Sequence, residues 1–168
     1  MMILPDLLER GLKVVFCGTA PGNISAKEQA YYAAASNKFW KIIFKAGIIP
    51  YRLQAQEFEQ ALRYGVGFTD LAKHESGVDK ELSKEAFDRS ALYEKILTYQ
   101  PTVLAFTSKR AAQEFFGYKT TAQLKYGRQK DQIGLTTIFV LPSPSAAAIR
   151  WWQEEPWFKL GLYLQKEN

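Results

Sequence analysis

The chain has 168 residues, 47% of them apolar and 23% charged, with a formal net charge of +5. That length suits one domain over 1–168 with one sizeable core, and the composition is that of a globular chain and excludes disorder. One cysteine, Cys17, and one histidine, His74, exclude an intramolecular disulfide, a Cys-rich zinc or iron–sulfur site and a multi-histidine metal site.

The first element in chain order is a strand over 12–17, where Leu12, Val14, Val15 and Phe16 form an apolar run ended by Gly18. Cys17 in that run reads as a buried core thiol. A helix is expected over Asn37–Ala46, with Ser36 as its cap, and a short one over 56–63. Val66 to Leu71 is a fourth strand or a partly ordered loop. Lys84–Tyr99 carries the strongest helical pattern, capped by Ser83, with an apolar face including Phe87, Tyr93, Ile96 and Leu97. Pro101 breaks it before a strand over Thr102–Thr107. A short helix over 109–116 follows, and then a strand over Thr136–Leu141. Strands apolar on both faces that alternate with helices predict a three-layer α/β/α domain around a mostly parallel sheet. No apolar run approaches the roughly 18 residues of a membrane helix. Asp6 and Glu9 sit in an N-terminus without a typical signal pattern, so a cytoplasmic, nucleoid-associated protein with no membrane partner is expected.

Open α/β sheets bind ligands beyond the carboxyl ends of their strands. Four strand-end segments therefore stand out: Gly18-Thr19-Ala20-Pro21-Gly22, Asp70, Ser108-Lys109 and Pro142-Ser143-Pro144-Ser145. The glycine-framed turn is neither a dinucleotide fingerprint nor a Walker loop; it is a structural turn or a close ligand approach. Tyr31 and Tyr32 pack in the core or sandwich a flat base. Asn37 reads a base edge or caps a helix. Asp70 is a turn-former, or a carboxylate that orients water and balances charge developing on a sugar. His74 is a surface residue or a phosphate contact. Lys109 and Arg110 open a helix, where backbone N–H groups favour phosphate. Lys125, Arg128 and Lys130, with Tyr126 among them, form a solvated basic face or a backbone-phosphate patch. Small Ala146, Ala147 and Ala148, followed by Arg150, enter a gap in a base stack or begin a helix.

In this order the segments resemble the mismatch-specific uracil/thymine-DNA glycosylase group of the uracil-DNA glycosylase superfamily, over residues 12 to about 150. The matching stretches are Gly18–Gly22 to a Gly-x-Asn-Pro-Gly loop, Tyr32 to Trp40 to an aromatic residue before an Asn-Pro-Ser-Asn-Arg-Phe-Trp-like segment, and Ser143-Pro144-Ser145 to a late Asn-Pro-Ser loop. Tyr64 to Leu71 matches in character. The resemblance implies a metal-free enzyme acting on DNA that contains a damaged or mismatched base; no amine nucleophile is clearly placed, so a monofunctional, cofactor-free monomer is expected. It implies that Tyr32 stacks on the flipped base, with Gly18 to Gly22 and Asn37 around it. Lys109, Ser143, Pro144, Ser145 and Arg150 lie on the DNA side, and Ala146 to Ala148 match the wedge.

Ala20 stands where the family has its water-positioning asparagine, and alanine has no side-chain donor or acceptor. Asp70 takes over that role, or the enzyme acts only on easy substrates, or the chain binds damaged DNA without turnover. The small wedge favours mismatched or single-stranded sites, where extrusion costs least. A nucleotide-sugar or small-nucleotide enzyme is the remaining reading, and it rests on the α/β cleft alone.

Overall fold

A computed structural model describes residues 2–78, 82–83 and 86–167. Five strands form one sheet: β1 (Val14–Gly18), β2 (Val66–Asp70), β3 (Val103–Phe106), β4 (Gly127–Ile133) and β5 (Thr136–Val140), in the spatial order β2-β1-β3-β5-β4. β2, β1, β3 and β5 run parallel, and β4 is antiparallel to β5. All positions of β1, β2, β3 and β5 are buried, which is why their sequences are apolar on both faces.

The two-residue strand period sends alternate side chains into two cores. Val14 and Phe16 join Phe39, Trp40, Phe68 and Trp157 on one face. Val15 and Cys17 join Leu92, Ile96, Phe106 and Val140 on the other, so Cys17 is buried as expected. The first face is covered by α2 (Phe39–Lys45), α5 (Glu155–Lys166) and a 3₁₀ helix, Ala55–Tyr64. The second is covered by α3 (Arg89–Tyr99) and α4 (Lys109–Phe116). The three-layer α/β/α expectation holds. A short helix, α1 (Asn23–Glu28), lies between β1 and α2.

Several boundaries differ from the sequence reading, each for a local reason. The strongest predicted helix starts at Arg89, not at Lys84, because Asp88 caps it by accepting from the Ala91 N–H at 3.0 Å. Ser83 instead bonds Glu75. Lys84 and Glu85 lie outside the described residues. Leu92 and Ile96 are the buried positions of α3, whereas Tyr93 and Leu97 are exposed. α2 begins at Phe39 because the Asn37 side chain, not Ser36, accepts from the Phe39 N–H at 2.9 Å. Residues 56–63 fall in the 3₁₀ segment Ala55–Tyr64, closed by Gly65. Val66–Asp70 is a full strand, and it lies at a sheet edge. Leu7 bridges Phe68 there in antiparallel fashion.

Candidate functional site

The parallel strands point their carboxyl ends at one cavity of about 740 Å³. Its lining includes Gly18 to Gly22 after β1, Asp70 at the end of β2, Thr107 to Arg110 after β3, and Ser143 to Ser145 after β5. Tyr32, Asn37, Ala147 and Ala148 also line it. Ala146 and Arg150 are exposed on the adjoining 3₁₀ segment Ala146–Trp151 and do not line the cavity.

The 18–22 turn is held by the segment after β2. Leu71 N–H donates to the Gly18 carbonyl, Ala72 N–H to Thr19 and Gly77 N–H to Pro21, at 3.0, 2.7 and 3.0 Å. Neither Gly18 nor Gly22 has a positive φ, so unusual dihedrals do not explain them. Gly18 answers to close approach instead: a Cβ there would lie 2.9 Å from Asp70 Oδ1 and 3.5 Å from Thr107 Oγ1. The crowding comes from the protein's own carboxylate. A Cβ on Gly22 would meet open space.

Asp70 is 5% exposed, opposite Gly18 in the β1–β2 register. Its Oδ2 is buried without a hydrogen-bond partner, the one such side-chain atom among the described residues. Buried polar atoms are ordinarily satisfied, and leaving one unmade costs about 1–3 kcal/mol. Lys73 Nζ stands 4.0 Å from that oxygen and 2.8 Å from Asp6 Oδ1. Asp6 also takes Lys95 Nζ at 2.7 Å and the Thr69 hydroxyl at 2.6 Å. Burial pushes the Asp70 carboxyl up to about 7, against the pull of Lys73. Burial also raises Asp6, but Lys73, Lys95 and Thr69 outweigh it and hold that carboxyl below its ordinary range. Two carboxylates on one lysine thus have opposite environments.

Tyr32 has φ +53, a left-handed conformation rare for a bulky residue. Gln29 and Gln100 share that geometry, but both close helices, where it relieves the last turn. Tyr32 closes none, and strain of this kind gathers at functional sites. Phe39 backs its ring at 4.0 Å and 13°, and its hydroxyl pairs with Thr107 Oγ1 at 3.0 Å. Tyr31 points into the core, and its hydroxyl donates to the Pro5 carbonyl at 2.9 Å. Asn37 uses one lone pair of its carbonyl oxygen on the Phe39 N–H, which leaves its amide NH₂ and the second lone pair for a ligand.

The late loop is rigid for identifiable reasons. Trp157 Nε1 donates to the Pro142 carbonyl at 3.1 Å, and Lys38 N–H donates to Pro144 at 2.9 Å. The hydroxyls of Ser143 and Ser145 accept from the N–H groups of Ser145 and Ala147, both at 3.3 Å. Ser108 caps α4 through the Ala111 N–H at 3.0 Å. Lys109 Nζ lies 4.4 Å above the Tyr126 ring. The second basic cluster divides: Tyr126 lines the cavity, whereas the Arg128 guanidinium packs over Tyr163 at 5.2 Å. His74 is exposed.

Sequence reasoning missed Thr107, Lys73, Asp6 and Trp151. Thr107 was legible as the polar end of an apolar strand. The other three depend on long-range contacts or on exposure. No cluster of three or more His, Cys, Asp or Glu able to hold a metal occurs among the described residues.

A mostly parallel sheet with a strand-end cleft lined by a strained aromatic and a buried carboxylate defines an α/β protein with one ligand-sized cleft at its carboxyl edge. The sequence profile of the Uracil DNA glycosylase superfamily matches residues 5–164, and the chain belongs to that superfamily. Its fold is similar to the solution NMR structure of a putative uracil DNA glycosylase from Methanosarcina acetivorans, with a TM-score of 0.63 and 21% identity over 96% of each chain.

Proposed function

We propose that the protein is a monofunctional DNA glycosylase that removes uracil or a related deaminated base from mismatched or single-stranded DNA. The observation that carries this reading is the buried Asp70 carboxylate, one oxygen of which lacks a hydrogen bond, in the lining of a cavity that also holds the braced Tyr32 ring. A flipped base stacks on Tyr32. Asp70, ionised, accepts a hydrogen bond from water and balances the positive charge that grows on the sugar as the N-glycosidic bond breaks. The water oxygen bonds to the anomeric carbon, its proton passes to Asp70 or solvent, and the bond's electron pair leaves with the base. Backbone N–H groups of the 18–22 turn stabilise that leaving anion. Free base and an abasic site result. Gly18, Thr19, Ala20, Pro21, Gly22 and Asn37 shape the base site. Lys109, Ser143, Pro144, Ser145 and Arg150 face the backbone, and Ala146, Ala147 and Ala148 form a slight wedge.

A single-turnover assay on uracil-, hypoxanthine- and thymine-containing duplexes and single strands tests this. Base release by the wild type is expected, with a loss on the order of 10²–10⁴-fold in Asp70→Asn. Undiminished release by Asp70→Asn overturns the role of Asp70. Absence of release from every substrate, with tight lesion-selective binding, supports the second reading: a damage-binding protein, favoured by Ala20.

A further inference from the structure

Three large apolar side chains that line the cavity are also exposed: Ile24, Val78 and Trp151. A residue that does both stands at the mouth. Trp151 is 59% exposed, and it ends the 3₁₀ segment that carries the three alanines. Its neighbour Trp152 has the opposite fate. Trp152 is half-buried, lies 6.1 Å from the Trp157 ring and carries Lys38 Nζ 5.6 Å above it. The segment is therefore anchored by one indole while the other projects. The Arg150 guanidinium lies over the Trp151 ring at 5.4 Å, and the residue is still mostly exposed, so a flat partner can reach it. Lys109 sits over Tyr126 on the same cavity.

We propose that Trp151 is a stacking platform for an unpaired base beside the nucleotide held in the cavity, which makes single-stranded or locally unpaired DNA the preferred substrate class. This rests on the glycosylase reading for the nucleotide in the cavity. Aromatic rings interleaved with cations are the physical requirement for holding a single strand, since every base offers a π-face and every link a phosphate. A paired base inside a duplex has no free face to offer. Ala147 and Ala148 are too small to hold open the gap that extrusion leaves in a duplex. The indole compensates only where the neighbouring base is already unstacked.

Tryptophan emission tests this directly, because Trp40 and Trp157 are buried and Trp151 is the most exposed indole. The protein is titrated with a uracil-containing single strand and with the same strand in a fully paired duplex, and base release is scored in the same samples. The single strand is expected to quench emission, and Trp151→Phe to abolish most of that quenching. Trp151→Ala is expected to weaken single-strand binding by about 10-fold, a typical loss for one stacked base, and duplex binding by less than about twofold. Equal losses on both substrates, or no quenching by the single strand, overturn the proposal. Quenching without base release keeps the platform and sinks the glycosylase reading; release without quenching does the reverse. A melting temperature unchanged in Trp151→Ala shows that the variant folds.

Discussion

Burial raises the Asp70 carboxyl from its ordinary 3.8 to about 7, and that displacement has a stability cost with a definite sign. Between those two values the folded chain keeps a proton that the unfolded chain has lost. The stabilisation from the protonated form is complete below 3.8 and is lost as pH rises through about 7. The whole interval corresponds to ~4 kcal/mol. Asp70→Asn is therefore expected to stabilise the fold at pH 8 by up to about 4 kcal/mol and to add little at pH 4. Urea denaturation at the two pH values checks it. In the proposed mechanism the same carboxyl is ionised to orient water, so single-turnover base release is expected to rise about tenfold per pH unit below 7 and to level off above it. Lys73 is the stronger of the two cations that oppose the upward shift, with Lys95 the other. Lys73→Met is expected to move the midpoint of that profile upward, whereas Lys73→Arg largely restores it. A midpoint unchanged in Lys73→Met separates Asp70 from the ion cluster. On that mechanism stability and chemistry oppose each other at a single residue, as expected where a charge is kept buried for use.

Helix packing sets the frame in which those residues meet. α5 carries Gly161 in its interior, although glycine costs a helix roughly 1 kcal/mol relative to alanine. A Cβ at that point would overlap the Ala46 carbonyl oxygen at the end of α2. Gly161→Ala is expected to destabilise the protein by about 1–3 kcal/mol, the ordinary cost of overpacking, despite its better helix propensity. Thermal unfolding checks this, and a gain in stability would contradict the close approach of α2 and α5. The sequence displays some elements far better than others. β1, β3 and β5 are short apolar runs bounded by glycine or proline, and α4 has a serine cap and a terminal glycine, so local chemistry defines them. β4, Gly-Arg-Gln-Lys-Asp-Gln-Ile, is mostly exposed and reads as a basic loop, because nothing local tells an edge strand from solvated chain. α5 hides behind a dense Trp-Gln-Glu-Glu-Pro-Trp stretch whose buried face depends on α2. The cavity was legible as strand ends. The Asp6–Lys73 pair was not, since it joins distant parts of the chain.

At the scale of the whole molecule, three cations of this basic chain lie at or beside the cavity: Lys109 and Arg110 in its lining, the latter paired with Glu114, and Arg150 beside Trp151. Two to four phosphate contacts on a single strand predict a log–log salt slope of roughly −1.4 to −2.8. Fluorescence titrations between about 50 and 200 mM salt check it. A slope near zero would place these cations away from the DNA backbone. The two edges of the sheet differ in a way that matters beyond the site. β4 is guarded by its own Arg128, Lys130 and Asp131, whose charges oppose pairing with a second sheet. β2 has no such guard: all five of its residues are buried, and Leu7 occupies its hydrogen-bonding groups at Phe68. The leading segment is thus a plug over a sticky edge. If it peels away, the same event that frees Lys73 from Asp6 lays bare a strand ready to recruit another chain, so loss of the site and the onset of aggregation should share one opening motion.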